Sequence, residues 1–278
     1  MRASGGQNVS GAFLLGAFLG LTAFAAEASS GELGTLERLL LARDWQAVEM
    51  AQKEGARAVL ILRRSSANPD YRVRQIAVTC AGRIGCAGGA GILATGLVDR
   101  NINVRLAAAN ELAVNPCPAA AETILEQIEK SADETVREKL VLAAGQLPAS
   151  RALAVLRPLA SGQGTLAVKA RMALARLGDA GARQTLRSEL SSKSPRARYD
   201  ALEHLRYVND PELAGAARGR LTDREPAIRL GVPSDSRFRR VCDQALETVV
   251  YLRKLQVRFE VNVERIYSDE ELAWVGDR

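Results

Sequence analysis

Apolar residues recur along this chain at helical spacing, and the groups they form recur as well. Val73, Ile76, Ala77, Cys80, Ala81 and Ile84 stand at offsets 0, 3, 4, 7, 8 and 11 from Val73. Those offsets trace one stripe on a helix of 3.6 residues per turn, whereas a strand would need period two. The same offsets carry Leu166, Ala170, Ala173, Leu174 and Leu177, and again Phe238, Val241, Cys242, Ala245, Leu246 and Val249. The anchors Val73, Val104, Val136, Leu166, Ala197 and Phe238 follow one another at 31, 32, 30, 31 and 41 residues. A shorter helix is predicted before each, over 57–66, 89–98, 119–130, 150–160, 180–190 and 210–221.

Breakers such as Asn68-Pro69-Asp70, Ser194-Pro195 and Asn209-Asp210-Pro211 separate the pieces, with side chains suited to capping the helix that follows. Helical pairs this short cannot bury an apolar face alone, so successive pairs must stack. The predicted class is all-α, an α-solenoid of about six helical hairpins. At this point Asn103-Val104-Arg105-Leu106-Ala107-Ala108-Ala109 and Ala173-Leu174-Ala175-Arg176-Leu177-Gly178-Asp179 resemble HEAT-like repeats of the phycobilisome-lyase type, over about residues 56–254. The resemblance implies an inter-repeat polar ladder from Arg74, Arg105, Arg137, Arg198 and Arg239, with Ala167 as a departure in the fourth unit. About activity it says little, because that family holds mostly scaffolds and a few enzymes.

The two ends differ from the middle. Residues 1–26 read as a signal peptide: Arg2 precedes an uncharged apolar run from Gly11 to Ala26 that ends in Ala23-Phe24-Ala25. Residues 27–55, with Trp45 and Met50, read as an N-terminal helical cap, and residues 56–254 as the repeats. The last repeat holds about ten extra residues, including Gly231-Val232-Pro233-Ser234-Asp235. Residues 255–278 form a C-terminal extension in which Leu255, Val257, Phe259, Val261 and Val263 alternate with polar residues. That alternation favours a strand over continued helix, although Leu252, Leu255, Phe259 and Val263 also share a helical face. Such a strand would pair with a partner, a second copy or its own hairpin, so Val257, Phe259, Val261 and Val263 are candidate pairing residues and a homodimer one outcome.

Opposite the stripe, at the face the resemblance places on the concave side, the second helices carry Val78, Leu106, Val141, Leu142, Val168, Met172, Tyr199 and Leu202. Either these form an exposed apolar band for binding another protein, or neighbouring helices bury them. The sixth unit is polar there, with Arg240, Asp243, Gln244 and Glu247.

Chemistry narrows the picture further. Aromatic residues are 4% of the chain and the only histidine is His204, so sites needing several imidazoles drop out, and neither a metal nor a cofactor is expected. His204 and Asp200 fall at core offsets 7 and 3 and read as a structural pair, as do Glu111 and Lys139 in consecutive units. Cys80 and Cys242 sit at core offsets, whereas Cys86 and Cys117 both lie at offset 13 of adjacent units, where a disulfide requires the two turns to lean together. No nucleophile motif is evident, so the chain is expected not to be an enzyme. Without residues 1–26 the net charge is +5, and residues 193–240 alone hold 11 basic against 7 acidic groups, enough for contact with an anionic membrane or an acidic protein.

These observations favour an exported, periplasmic adaptor or assembly scaffold with an unnamed protein partner and no nucleic acid. The alternative implied by the resemblance is bilin-lyase-like ligand handling. Export counts against it, and the clustered His-Glu pairs of the iron-dependent hydroxylases are missing. A nucleic-acid binder would need a longer basic groove.

Overall fold

The computed structural model describes residues 31–231 and 237–278, so the apolar segment within residues 1–26 and the loop 232–236 lie outside the described residues. It is all-α apart from one small hairpin, and two compact units divide the chain after Thr123. In the first unit a helix over 31–42 (α1) and α2 (Gln46–Glu54) make the cap. They are followed by α3 (Val59–Ser65), α4 (Tyr71–Arg83), α5 (Cys86–Leu97) and α6 (Ile102–Val114). The boundary falls in the first turn of α7 (Ala121–Lys130). The second unit continues with α8 (Glu134–Ala144), α9 (Ala149–Ala160), α10 (Gly164–Arg176), α11 (Ala180–Glu189), α12 (Pro195–Val208), α13 (Ala214–Arg218), α14 (Val241–Arg253) and α15 (Asp269–Gly276).

Four of the second helices start where a short polar side chain can accept from the first turn, whereas α10 and α14 start at Gln163 and Arg240. Asp70, Asn101, Asp133 and Ser194 accept from the backbone N–H of Arg72, Asn103, Val136 and Ala197. Each satisfies a donor that helix geometry leaves without a partner, which contributes about 1 kcal/mol. The stripes then become core: Val73, Ile76, Ala77, Cys80 and Ala81 are buried in α4, and Val241, Cys242, Ala245, Leu246 and Val249 in α14. In the cap, Leu36, Leu40, Ala47 and Ala51 turn inward, while Trp45 is 53% exposed beside the start of α2.

The arginine following the anchor is built into the turns. Arg74, Arg105 and Arg198 each donate to the carbonyl six residues upstream, on Asn68, Asp99 and Ser192. Arg74 also forks onto Asp99 at 2.7 and 2.8 Å, and Arg198 onto Asp223 at 2.7 and 3.1 Å. Arg137 instead reaches the Ile128 carbonyl, so the ladder repeats in part only.

Two elements depart from the sequence expectation. Phe238 does not begin a helix: Pro226–Arg229 (β1) and Phe238–Arg240 (β2) pair antiparallel, with an irregularity between Pro226 and Ile228, and α14 starts three residues later. Pro226 has no N–H to give a helical ladder, and β1 offers Phe238–Arg240 a backbone edge to pair with. Residues 255–263 form no strand; Lys254 ends α14 in the left-handed conformation, and the chain then crosses irregularly to α15. The alternation is real in burial as far as Phe259, but no neighbouring backbone edge pairs with it among the described residues. Phe259 packs instead against Tyr267 and Trp274, with ring centroids 6.1 and 6.0 Å away, and Val263 stays 62% exposed.

Cys86, at the start of α5, is bonded to Cys117 ahead of α7, with Cα atoms 5.0 Å apart. Cys80 and Cys242 are buried and free, and burial pushes the Cys80 thiol up to about 12. Two thiols per chain should therefore react after unfolding without reductant, and four after reduction. Closing a 31-residue separation is worth about 2–4 kcal/mol, so the Cys86→Ser, Cys117→Ser chain should unfold at clearly lower denaturant, as followed by circular dichroism.

The Arg74 guanidinium holds the Asp99 carboxyl below its ordinary 3.8. A lowered folded-state value means stability that is present above about pH 4 and lost as the pH falls through the folded value. Asp99→Asn should lower the unfolding midpoint at pH 7 and shrink the difference between pH 7 and pH 3; an unchanged difference would contradict this role.

Candidate functional site: the face opposite the apolar stripe

The eight residues of the expected apolar band do not lie together on an open surface. Val78, Val141, Met172, Tyr199 and Leu202 are buried, whereas Leu106, Leu142 and Val168 are half-buried. Second helices carry small residues on the flanks that meet their neighbours, so adjacent helices approach closely and cover offsets 5 and 6 from the sides. In the first unit a Cβ on Gly96 would lie 3.0 Å from Val78 and 3.1 Å from Ala108. In the second unit a Cβ on Gly145 would stand 2.3 Å from the Tyr207 hydroxyl and 2.8 Å from the Ala173 Cα.

The open remainder is mixed in character. In the first unit it comprises Gln75, Thr79, Leu106 and Asn110. In the second, Leu142 and Val168 are accompanied by the Glu138–Lys169 ion pair and by Arg171, which donates to the Ala160 carbonyl. Tyr207 reaches from α12 across α10 to α8 and donates its hydroxyl to the Leu142 carbonyl at 2.6 Å, with the Arg176 guanidinium 5.2 Å from its ring centroid. Burial raises the Tyr207 hydroxyl well above the ordinary tyrosine range, so it serves as a neutral donor. Sequence reading missed Tyr207; its one visible sign is a tyrosine at offset 10, where the other second helices carry smaller or aliphatic residues or arginine.

In the sixth unit the polar face is real but closed. Asp243, Gln244 and Glu247 are buried because residues 255–278 fold back over α14, and Tyr267 lies at the centre of the contact. Asp243 accepts from Arg240 and from the Tyr267 N–H. Glu247 accepts from Arg239 at 2.6 Å, from the Tyr267 hydroxyl at 3.2 Å and from Arg206 at 3.3 Å.

The remaining candidate pairs are rearranged. His204 Nδ1 lies 3.7 Å from Glu189, while Asp200 pairs with Arg196 at 2.8 Å. Glu111 pairs with Arg83 at 3.1 Å and fills the space a Cβ on Gly82 would need. Among the described residues no group of three His, Cys, Asp or Glu side chains is placed to hold a metal ion.

No protein-family profile and no curated protein matches the chain. Solved structures do. The complex of CpcE and CpcF of phycocyanin lyase from Nostoc sp. PCC7120 is similar at 16% identity, over 83% of this chain and 87% of that one, with a TM-score of 0.52. The archaeal HEAT-like repeats protein from Thermococcus onnurineus NA1 shares 14% identity over 80% and 97% of the two chains, with a TM-score of 0.43. Human deoxyhypusine hydroxylase shares 16% identity over 82% and 87%, at 0.38. The fold is thus that of the HEAT-like helical-repeat proteins, and the chain is all-α of this class. The expectation that it is not an enzyme is corrected here: the lyase complex shows that this fold hosts enzymes, so the architecture gives no ground for excluding catalysis.

The Gly145 and Tyr207 contact can be tested directly. Gly145→Ala should cost about 1–3 kcal/mol by overpacking, and Tyr207→Phe about 1 kcal/mol through the lost hydrogen bond. Because both act at one contact, the double variant should cost less than the sum; strict additivity in denaturant titrations would show that the two do not meet.

Proposed function

We propose that this chain is an exported helical-repeat protein that works by pairing with another protein chain through the open face of its second helices. The observation that carries the reading is the open face of the second helices in the second unit, which presents the half-buried aliphatic residues Leu142 and Val168 together with the Glu138–Lys169 ion pair and Arg171. Interfaces commonly combine a small apolar centre with a charged rim. The similar phycocyanin lyase structure is itself a complex of two chains, which supports a protein partner. Export is supported by the apolar run from Gly11 to Ala26 and by the Cys86–Cys117 bond, since structural disulfides persist in oxidising compartments.

A second reading is that the chain, alone or with its partner, handles a ligand in a lyase-like reaction; the structural likeness to the lyase complex favours it. The two readings are compatible, because a partner-bound repeat protein can also act on what the pair holds.

The test combines Leu142→Asp and Val168→Asp in the full chain, with cross-linking in intact cells and mass spectrometry of the products. Both side chains are half-exposed, so helicity and unfolding midpoint should stay near those of the unmodified chain while the principal cross-linked partner is lost. Unchanged cross-linking in a folded double variant removes this face from the reading. Purified cross-linked complex that carries a visible chromophore would move the second reading to first place.

A further inference from the structure

The charged cluster beneath the C-terminal extension has more donors than acceptors. Arg239 is 1% exposed, and of its three nitrogens only Nη2 is bonded, to Glu247 at 2.6 Å. Its Nε and Nη1 are buried without a hydrogen-bond partner, and so is the Gln244 amide nitrogen, one turn before Glu247 on α14. The acceptors nearby are already engaged. Glu247 is shared among Arg239, Arg206 and Tyr267, and Asp243 is taken by Arg240 and the Tyr267 backbone. Three guanidiniums therefore face two carboxylates.

A half-bonded guanidinium that no water reaches is costly, and a buried cation is retained where an anion or acceptor completes it. The Tyr199 ring, with its centroid 5.7 Å from the Arg239 guanidinium carbon, occupies one face of the cation, so the open N–H groups lie in its plane, that of Nε on the side of Nη2 and those of Nη1 on the other. Unpaired guanidinium N–H and amide N–H₂ groups are the donor types that oxyanions and halides take.

We propose that this cluster binds a single small inorganic anion between Arg239 and Gln244, and that the anion is part of what fastens residues 255–278 over α14. The inference is independent of the partner reading, because it concerns closed residues and not the open face. Gln244→Glu would place a carboxylate where the amide donor stands, so the chain would supply the missing acceptor itself.

The experiment measures the thermal midpoint of the full chain at constant ionic strength, replacing gluconate with chloride in one series and with phosphate in another. An anion that binds only the folded chain raises the midpoint with the logarithm of its concentration. An increase of about thirtyfold above the dissociation constant should raise it by roughly 4–8 °C. The response to chloride or to phosphate tells a halide site from an oxyanion site. Gln244→Glu should melt higher than the unmodified chain in gluconate and lose the anion response. Should that variant fail to fold, Arg239→Lys keeps the charge but removes the planar guanidinium donors, and it should weaken the response at least tenfold in anion concentration. A midpoint of the unmodified chain that neither chloride nor phosphate moves would overturn the proposal and leave the cluster to ordinary water. A response that persists unchanged in the folded variants would overturn it equally.

Discussion

The structure depends on one constraint: no helical hairpin in this chain is large enough to bury its own apolar face. Within each unit the second helices therefore pack on one another and on the short helices between them: α4 on α5 and α6, and α10 on α8, α9, α11 and α12. Small side chains make the flanking contacts close. Ala77 and Ala81 in α4, Ala108 in α6, Ala144 in α8, Ala173 in α10 and Ala201 in α12 have no more than 1% of their surface exposed. An alanine-rich core loses little side-chain entropy on folding and brings helix backbones together, at the cost of leaving little room for any further methyl group. That is why Gly82, Gly96 and Gly145 fall where they do, each against a neighbouring side chain.

On α14 the cover is of another kind. α14 has α12 and α13 beside it and α15 against it, and the face toward the extension carries Asp243, Gln244 and Glu247 in place of aliphatic residues. The extension supplies the cover there, through hydrogen bonds centred on Tyr267 and the aromatic contacts of Phe259 with Tyr267 and Trp274. Buried charge is a costly way to close a core, and its compensation is specificity: only a chain that places Tyr267 and Arg240 correctly satisfies those carboxylates.

This division also explains how much was legible in the sequence. Periodicity reports which side of a helix is apolar, so the stripes, the near-constant spacing of the first five anchors and the capping residues could be read directly. It does not report how closely neighbouring helices approach, and so it left both an exposed band and a buried flank open for Val141 and Leu202, which are fully buried. The alternation of residues 255–263 was equally genuine, but a strand exists only where another edge pairs with it, and no single sequence shows whether one is at hand. Phe238 preserved the apolar register while the backbone around it was extended, because Arg239 and Arg240 fit a hairpin as well as a first helical turn. The half-bonded Arg239 and the reach of Tyr207 depend on contacts across more than one element, which a one-dimensional pattern does not carry.

The same accounting bears on chemistry. Several of the best-shielded carboxylates are already in pairs: Asp99 with Arg74, Asp223 with Arg198, Glu111 with Arg83, and Glu247 with two arginines and a tyrosine. Asp99, which Arg74 holds below its ordinary value, stays ionised in the folded chain and is a poor proton donor near neutral pH. The second-helix face of the second unit adds Glu138 and Arg171, both half-buried. Glu138 is itself paired with Lys169, and a second chain docking around Leu142 and Val168 would be the event that exchanges that pairing and removes water from it. The likeness to the lyase complex is one of fold, and on such a fold any chemistry is decided by the side chains that a face presents, here Glu138, Lys169 and Arg171.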